Sequence, residues 1–242
     1  KFLDEARRIL GDLETAEQEM AGQSNVVSGN LTLTTSLTFG RAVLQSIVSD
    51  FIDANPRITV SMLLFDRVVD LIDEGFDLAV RIANLPDSSL VSRHVGDVRR
   101  MLVASPAYLS KHGTPKTPED LKTHTVIGQT ALMPNRELRY FKAGKPARIT
   151  LPIRFEINDA HACIGAAEQG KGITIALSYM VVDALRDGRL LPVLNRLRPP
   201  PVPVNLIYAQ RRIVAPKIRA FIDFAAPRLS ATLSQGRSIL KD

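Results

Sequence analysis

From Asn30 to Ala83 the apolar pattern switches repeatedly between a period of two and a helical period, and this alternation restricts the fold more than any other feature. "LTLTTS" (31–36) alternates as a strand does. Residues 41–54 then carry the pairs Val43/Leu44, Ile47/Val48 and Phe51/Ile52 on one helical stripe that stops at Asn55-Pro56. "RITVSMLLF" (57–65) and "FDLAVRIA" (76–83) are rich enough in branched residues to be strands. Between them Asp66 is expected to cap a helix over "RVVDLIDE" that ends at Gly75. A βαβαβ order buries its strands as a parallel sheet covered by helices.

A second unit follows. After the turn "NLPDSS", the segment "LVSRHVGDV" is expected to be an irregular crossing, and "RRMLVAS" a strand. Residues 106–112 read as a short helix, "TPKTPEDLKTH" as a loop with a helical turn, and "TVIGQ" as a strand. "ELRYFK" and "RITLPIRFEI" flank "AGKPA" as a hairpin. Asp159 is expected to cap "AHACIGAAEQ", a helix ended near Gly170 and Gly172, before the strand "ITIALS", the helix "MVVDALRD" and the strand "RLLPVL". The Pro-rich "RPPPVP" reads as an exposed connection to the strand "VNLIYAQ". "APKIRAFIDFAAPRL" is an amphipathic helix, and the tail 230–242 is expected to fray. With 242 residues, 45% of them hydrophobic, the chain can fill two modest cores.

Ahead of these units, Phe2, Ala6, Ile9, Leu13, Ala16 and Met20 are spaced 4, 3, 4, 3, 4, a heptad seam widened by Leu3 and Leu10. Fewer than three heptads, with Gly11 inside, are marginal alone. The helix is expected to continue upstream or to pack on a partner, the alternative being an amphipathic helix lying on its own domain. "AGQSNVVSGN" reads as a linker.

Several function classes are excluded as expectations. No apolar run approaches the roughly 20 residues that cross a bilayer, and residues 1–25 lack an apolar signal-peptide core, so no membrane partner and a cytoplasmic location are expected. The net charge is +6, but the 31 Lys and Arg residues are scattered without aromatic interleaving, which argues against a main nucleic-acid surface. His94, His112, His124 and His161 lie 18, 12 and 37 residues apart, so no metal site is expected. Ser36 lacks the flanking glycines of a nucleophile turn, and "EQGKG" lacks both the P-loop spacing and its following Ser or Thr. Cys163, between Ala162 and Ile164, reads as a buried small hydrophobe rather than a redox sensor. Neither a cofactor nor catalysis is expected.

The positive signals sit where strands run into helices, the place where parallel sheets bind ligands. Ser36, Thr38 and the Phe39-Gly40 backbone fall there for the first strand. Arg81 is the one cation in an otherwise apolar strand, with an internal acid such as Asp66 or Asp73 as the alternative partner. Gln129-Thr130 follows a strand, and Asn158-Asp159 opens a helix, where capping alone would account for Asp159. Hydroxyls, amides, helix ends and one arginine suit a carboxylate-bearing small molecule and are poor at chemistry.

The stretch from Ser28, "SGNLTLTTSLTFGRAVLQSIVSDFIDANPRITVSMLLFDRVVDLIDEGFDLAVRIANLPDSSLVSRHVGDVRRMLVASPAYLSKHGTPKTPEDL", closely resembles the effector-binding domain of LysR-type transcriptional regulators, through "D-R-x-V-D-L-I-x-E-G-F-D-L-A-x-R-I" and "S-S-L-V-x-R". The likeness runs to about Leu229. It implies an α/β fold of two Rossmann-like subdomains of the type II periplasmic-binding-protein kind, preceded by an amphipathic linker helix. Residues 1–25 would be the end of that helix, 28–97 with 212–235 the first subdomain, and 98–211 the second.

It also implies effector-binding residues Ser36, Leu37, Thr38, Phe39, Phe65 and Arg81, with Gln129, Thr130, Asn158 and Asp159 from the second subdomain. The partners implied are a small-molecule effector such as a carboxylate, and self-association as a dimer or tetramer through the helix 41–54 and a second-subdomain helix of the neighbour. RNA polymerase would be a partner of the full-length protein. The winged helix-turn-helix expected before the linker helix is absent from this sequence, so DNA would be reached only through that missing domain. The alternatives are a free-standing solute-binding protein of the same fold and an enzyme built on this scaffold.

Overall fold

The computed structural model describes residues 27–85, 90–209 and 214–238, so the linker helix expected over residues 1–25 lies outside the described residues. The described chain divides into two compact units: the first runs to Gly96 and takes in Pro203–Ser234, and the second is Asp97–Val202 with the chain from Gln235 onward.

Unit 1 holds a five-stranded sheet in the order β2-β1-β3-β12-β4. Strand β1 (Gly29–Thr35) runs parallel to β2 (Ile58–Leu64) and to β3 (Leu78–Ile82), with Leu33 opposite Leu78. Between β1 and β2 lies one helix, α1, in three successive segments: Leu37–Phe39, a π-helical turn Gly40–Leu44, and Gln45–Ala54. Val43, Leu44, Ile47, Val48 and Phe51 of its stripe are buried as the spacing predicts, whereas Ile52, expected on the same stripe, is exposed. The Phe51 ring meets Phe221 edge-on at 5.1 Å, which packs α1 against α5 (Pro216–Ser238).

Four expectations are corrected in unit 1. Residues 67–74 form a bend and a turn instead of a helix: Leu71 is buried, but Val68 and Ile72 are 94% and 63% exposed, which leaves too little apolar face to stabilise one. "LVSRHVGDV" is a regular nine-residue strand, β4 (Leu90–Val98). The strand "VNLIYAQ" belongs to β12 (Val202–Ala209), which pairs antiparallel with β3 in this unit's sheet, whereas the expected boundary at 211 put it in the second unit. A pairing of Asn205 with Arg81 across so long a stretch of chain leaves no local pattern to read. The last helix continues through residues 230–238, tied down by Leu229 and Leu233, which are buried.

Unit 2 has the sheet order β11-β5-β10-β6-β9. Here β10 (Ile173–Leu177) is parallel to β6 (Val126–Gln129), itself parallel to β9 (Phe155–Ile157); β5 (Arg100–Ala104) is antiparallel to β10 and to β11 (Leu191–Val193). The period of two sorts β5 between the two faces. Met101 and Val103 pack with α3 (Ala160–Glu168) and α4 (Ser178–Arg186). Leu102 and Ala104 pack with Tyr108 of α2 (Pro106–His112) and Leu138 of β7 (Glu137–Lys142). Strand β8 (Lys145–Thr150) completes a hairpin with β7 through Ala143 (φ 50°) and Gly144 (φ 77°), the left-handed pair a two-residue hairpin turn needs. No helix among the described residues is long and apolar enough to cross a membrane.

Candidate functional site

Because β1, β2 and β3 are parallel, their carboxyl ends at Thr35, Leu64 and Ile82 fall on one edge of the unit 1 sheet. Ser36 takes the extended backbone of an N-cap (φ −68°, ψ 151°), but its side chain makes no capping bond. The cap comes from elsewhere: the Leu37 N–H donates to Asp66 Oδ1 at 3.0 Å. Leu37 is exposed and Thr38 half-buried, whereas the Phe39 side chain is fully buried, so only its backbone can serve at this edge. The π-helical turn follows at once. Gly40 sits where a Cβ would lie 2.3 Å from Leu64 Cδ2, which lets α1 start close against β2.

Arg81 reaches this edge from β3. Its Nη1 donates to the Phe65 carbonyl at 3.4 Å, and the Phe65 N–H donates to Thr35 O at 2.9 Å, which links the three strand ends. Nη2 is buried and has no hydrogen-bond partner. Neither Asp66 nor Asp73 forms an ion pair with Arg81, and Glu74 is already held by Arg67 through two bonds of 2.8 and 2.6 Å. Burial holds the Arg81 guanidinium below its usual range, helped by the Arg67 charge and opposed by Asp66 and Glu74. The Oγ1 atoms of Thr34 and Thr35, both buried, also lack partners. Orphaned polar atoms gathered at a strand end mark a place where a polar ligand can be accommodated.

In unit 2 the candidate residues also gather at strand ends. Gln129 stands opposite Ile157 in register, and the Thr130 N–H donates to Ile157 O at 3.1 Å. The buried Gln129 amide is spent internally: Oε1 accepts from Leu132 N–H at 2.7 Å and Nε2 donates to Asn158 O at 3.4 Å. Asp159 Oδ1 caps α3 by accepting from the Ala162 N–H at 2.7 Å. Thr130 and Asn158 remain exposed. Cys163 is fully buried one turn further on, and burial pushes its thiol up, as befits a small hydrophobe.

Sequence reasoning missed Asp66, Thr34 and Thr35. The hydroxyl run Thr34-Thr35-Ser36 was the available signal for the threonines, while Asp66 was read as the cap of its own following segment or a partner of Arg81, not as the cap of the helix after β1. No cluster of potential metal ligands occurs among the described residues.

Two α/β units whose strand ends offer hydroxyls, amides and a guanidinium define a small-molecule-binding domain of the periplasmic-binding-protein-like, two-subdomain kind. Residues 24–230 match the LysR substrate binding domain, and the chain belongs to that family. It is 32% identical to an HTH-type transcriptional regulator of Xanthomonas campestris over 95% of this chain and 68% of that protein. With the regulator CrgA of Neisseria meningitidis it shares 28% identity over 96% of this chain and 78% of the relative. The solved structure of CrgA, a LysR-type transcriptional regulator, superposes with a TM-score of 0.76 at 27% identity, covering 93% of this chain and 77% of that one. That of AphB, the Vibrio cholerae virulence activator, superposes with a TM-score of 0.75 at 25% identity, covering 95% of this chain and 77% of that one. The domain is therefore the effector-binding domain of a LysR-type transcriptional regulator.

Proposed function

We propose that this domain senses a small organic anion, that the anion's carboxylate is held in unit 1 by Arg81 and the amino end of α1, and that Thr38 supplies a hydroxyl. The observation that carries this reading is the buried Nη2 of Arg81, a charged donor with no hydrogen-bond partner at the carboxyl edge of a parallel sheet. Charge-assisted bonds to a carboxylate would satisfy it. Thr130 and Asn158 of unit 2, whose side chains are exposed, offer a second set of polar groups. Gln129 and Asp159 act by shaping the backbone around them.

In the full-length regulator, ligand binding changes the equilibrium between two arrangements of paired protomers and so moves DNA-binding heads, which requires unequal affinity for the two states. Residues 1–25 would contribute to that pairing, with α1 and a unit 2 helix of the neighbour. RNA polymerase would be met in the cytoplasm by the assembled regulator. The domain carries out no reaction.

The test is a thermal-shift screen of the domain against small carboxylates, aromatic acids, amino acids and sugars, with Arg81→Gln and Thr38→Val alongside. A ligand at 100 times its Kd stabilises by about 2.7 kcal/mol. For a chain of this size that is on the order of 5–10 °C. The shift should come from an anion and vanish in Arg81→Gln. A ligand whose stabilisation survives both substitutions would overturn the assignment.

A further inference from the structure

Residues 66–77, which connect β2 to β3, pack over one face of the unit 1 sheet: Leu71 is buried against Ala79 and Ile207, with Phe76 beside it. The period of two puts Arg81 on the same face of β3 as Ala79, so its side chain rises from the face that this segment covers. The segment carries a charged pair of its own, Arg67 and Glu74. The Arg67 guanidinium lies 4.7 Å from the centre of the Phe65 ring, and the Phe65 carbonyl accepts from Arg81 Nη1 at 3.4 Å. A chain of contacts thus runs from Glu74 through Arg67 and Phe65 to Arg81.

The charges of Asp66 and Glu74 both favour the Arg81 guanidinium, yet each carboxylate is bound elsewhere. Asp66 Oδ1 accepts from the Leu37 N–H at 3.0 Å. Glu74 accepts from both terminal nitrogens of Arg67, at 2.8 Å on Oε1 and 2.6 Å on Oε2, a two-pronged fit that only a guanidinium supplies. Apart from Arg67, Glu74 is held by one neutral donor, the Asp70 N–H at 3.2 Å. Arg81 Nη2 stays buried and without a partner. A half-buried guanidinium is screened less by water than an exposed one, so a carboxylate set free beside it is drawn to it strongly.

We propose that Arg67 is a positioning residue for the anion site: by holding Glu74 it keeps that carboxylate off Arg81, and without Arg67 the Glu74 carboxylate pairs with Arg81 and fills the place an effector's carboxylate would take. The consequence for binding rests on the effector reading of Arg81 given above. The choice of Glu74 between two arginines does not, and it is tested without any ligand. A pair that merely closed the turn would instead release Glu74 to water once Arg67 was removed.

The test is an NMR titration of the Glu74 side-chain carboxyl from about pH 7 to pH 3 in the parent and in Arg67→Gln, Arg81→Gln and Arg67→Gln/Arg81→Gln. In the parent Glu74 should titrate below the ordinary range, through its bonds to Arg67. Arg67→Gln should leave it still low, because Arg81 takes over, and at least about half a pH unit below the double variant, where no arginine remains. Arg81→Gln alone should change it by less than that. The Arg81 Nε–Hε signal gives the same answer from the other side: Arg67→Gln should move it, and Arg67→Gln/Glu74→Gln should return it to the parent position. Arg67→Lys, which keeps a charge beside Glu74, should leave the Arg81 signal closer to the parent than Arg67→Gln does. Glu74 titrating in the ordinary range in Arg67→Gln alone, or an Arg81 signal that removal of Glu74 does not restore, would overturn the proposal. A ligand screen that finds no anion for Arg81 would sink the effector assignment and leave this one to be decided by Glu74.

Discussion

The Asp66 carboxylate accepts a hydrogen bond from the Leu37 N–H at 3.0 Å, so a residue that follows β2 caps the helix that follows β1. This bond fixes where α1 starts relative to the turns after Phe65, whose carbonyl accepts from Nη1 of Arg81 while Nη2 has no partner. Asp66→Ala should destabilise the domain by about 1 kcal/mol, the usual loss for a removed cap. Asp66→Asn, which keeps an oxygen acceptor, should lose less. Urea denaturation of the three proteins checks the order, and equal midpoints would mean that the cap adds nothing.

Lys217 at the start of α5 and Asp77 at the entry to β3 form an ion pair of 3.4 Å, with side chains only 8% and 14% exposed. The Lys217 ammonium also donates to Asn30 O at 2.8 Å, and Asp77 Oδ2 accepts from the Thr32 N–H at 2.9 Å. The pair thus ties the returning helix to β1. Lys217→Met strands a buried carboxylate and should cost about 3–5 kcal/mol. The double variant Lys217→Met/Asp77→Leu removes both charges and should recover part of that loss, which a double-mutant cycle reads directly.

Two glycines of unit 2 should respond in opposite directions to alanine. A Cβ at Gly172 would lie 2.5 Å from the Thr125 carbonyl oxygen, a backbone atom that also accepts the Ile173 N–H at 2.9 Å. Gly172→Ala must therefore move a strand, and a loss of about 1–3 kcal/mol is expected. Gly165, inside α3, has nothing within 4 Å of its would-be Cβ. Gly165→Ala should stabilise by about 0.4–1 kcal/mol through a less disordered unfolded chain. Calorimetric melts of both variants separate the two effects.

The Cys163 thiol is fully buried, 3.8 Å from Gly128 O and 3.9 Å from Ile157 O, and burial raises it above its ordinary range. Thiolate chemistry should be suppressed in the folded domain. Iodoacetamide should label Cys163 far more slowly in the native protein than in urea, and equal rates would contradict the packing described for α3.

What could be read in advance follows the range of the interactions. Strands β1 to β3, the apolar stripe of α1 and the Asp159 cap rest on periodicities and neighbours a few residues apart, and each was legible. The Asp66 cap joins residues 29 apart, and β12 joins a sheet begun early in the chain, so neither left a local trace. "RVVDLIDE" misled for a different reason: its apolar residues have helical spacing, but Val68 and Ile72 face solvent and Asp70 Oδ1 accepts from the N–H groups of Ile72 and Asp73 at 2.9 and 3.0 Å, closing a single turn. At the candidate site Arg81 stood out as a charge in an apolar run, while the burial of the Phe39 side chain was invisible until its contacts were known.

His124 should make the stability of unit 2 depend on pH. Its Nδ1 lies 3.2 Å from the Tyr108 hydroxyl, whose oxygen accepts from the Thr125 N–H at 2.9 Å. The hydroxyl proton is then free to go to Nδ1, which accepts it only while the imidazole is neutral. Burial holds the imidazole below its ordinary 6.5, the neighbouring His112 adds to this, and Asp120 opposes it. With a folded pKa below the unfolded one, the unfolded chain binds more protons on acidification. The contribution of His124 is thus fully present above about pH 6.5 and is lost as pH falls through the folded value. Asp120, itself lowered by the Lys116 and Thr117 N–H groups, stays ionised in both states over this window and does not mask the effect. The melting temperature should fall between pH 7.5 and 5.5, and His124→Gln should flatten that fall; an unchanged slope would assign the pH dependence to other groups.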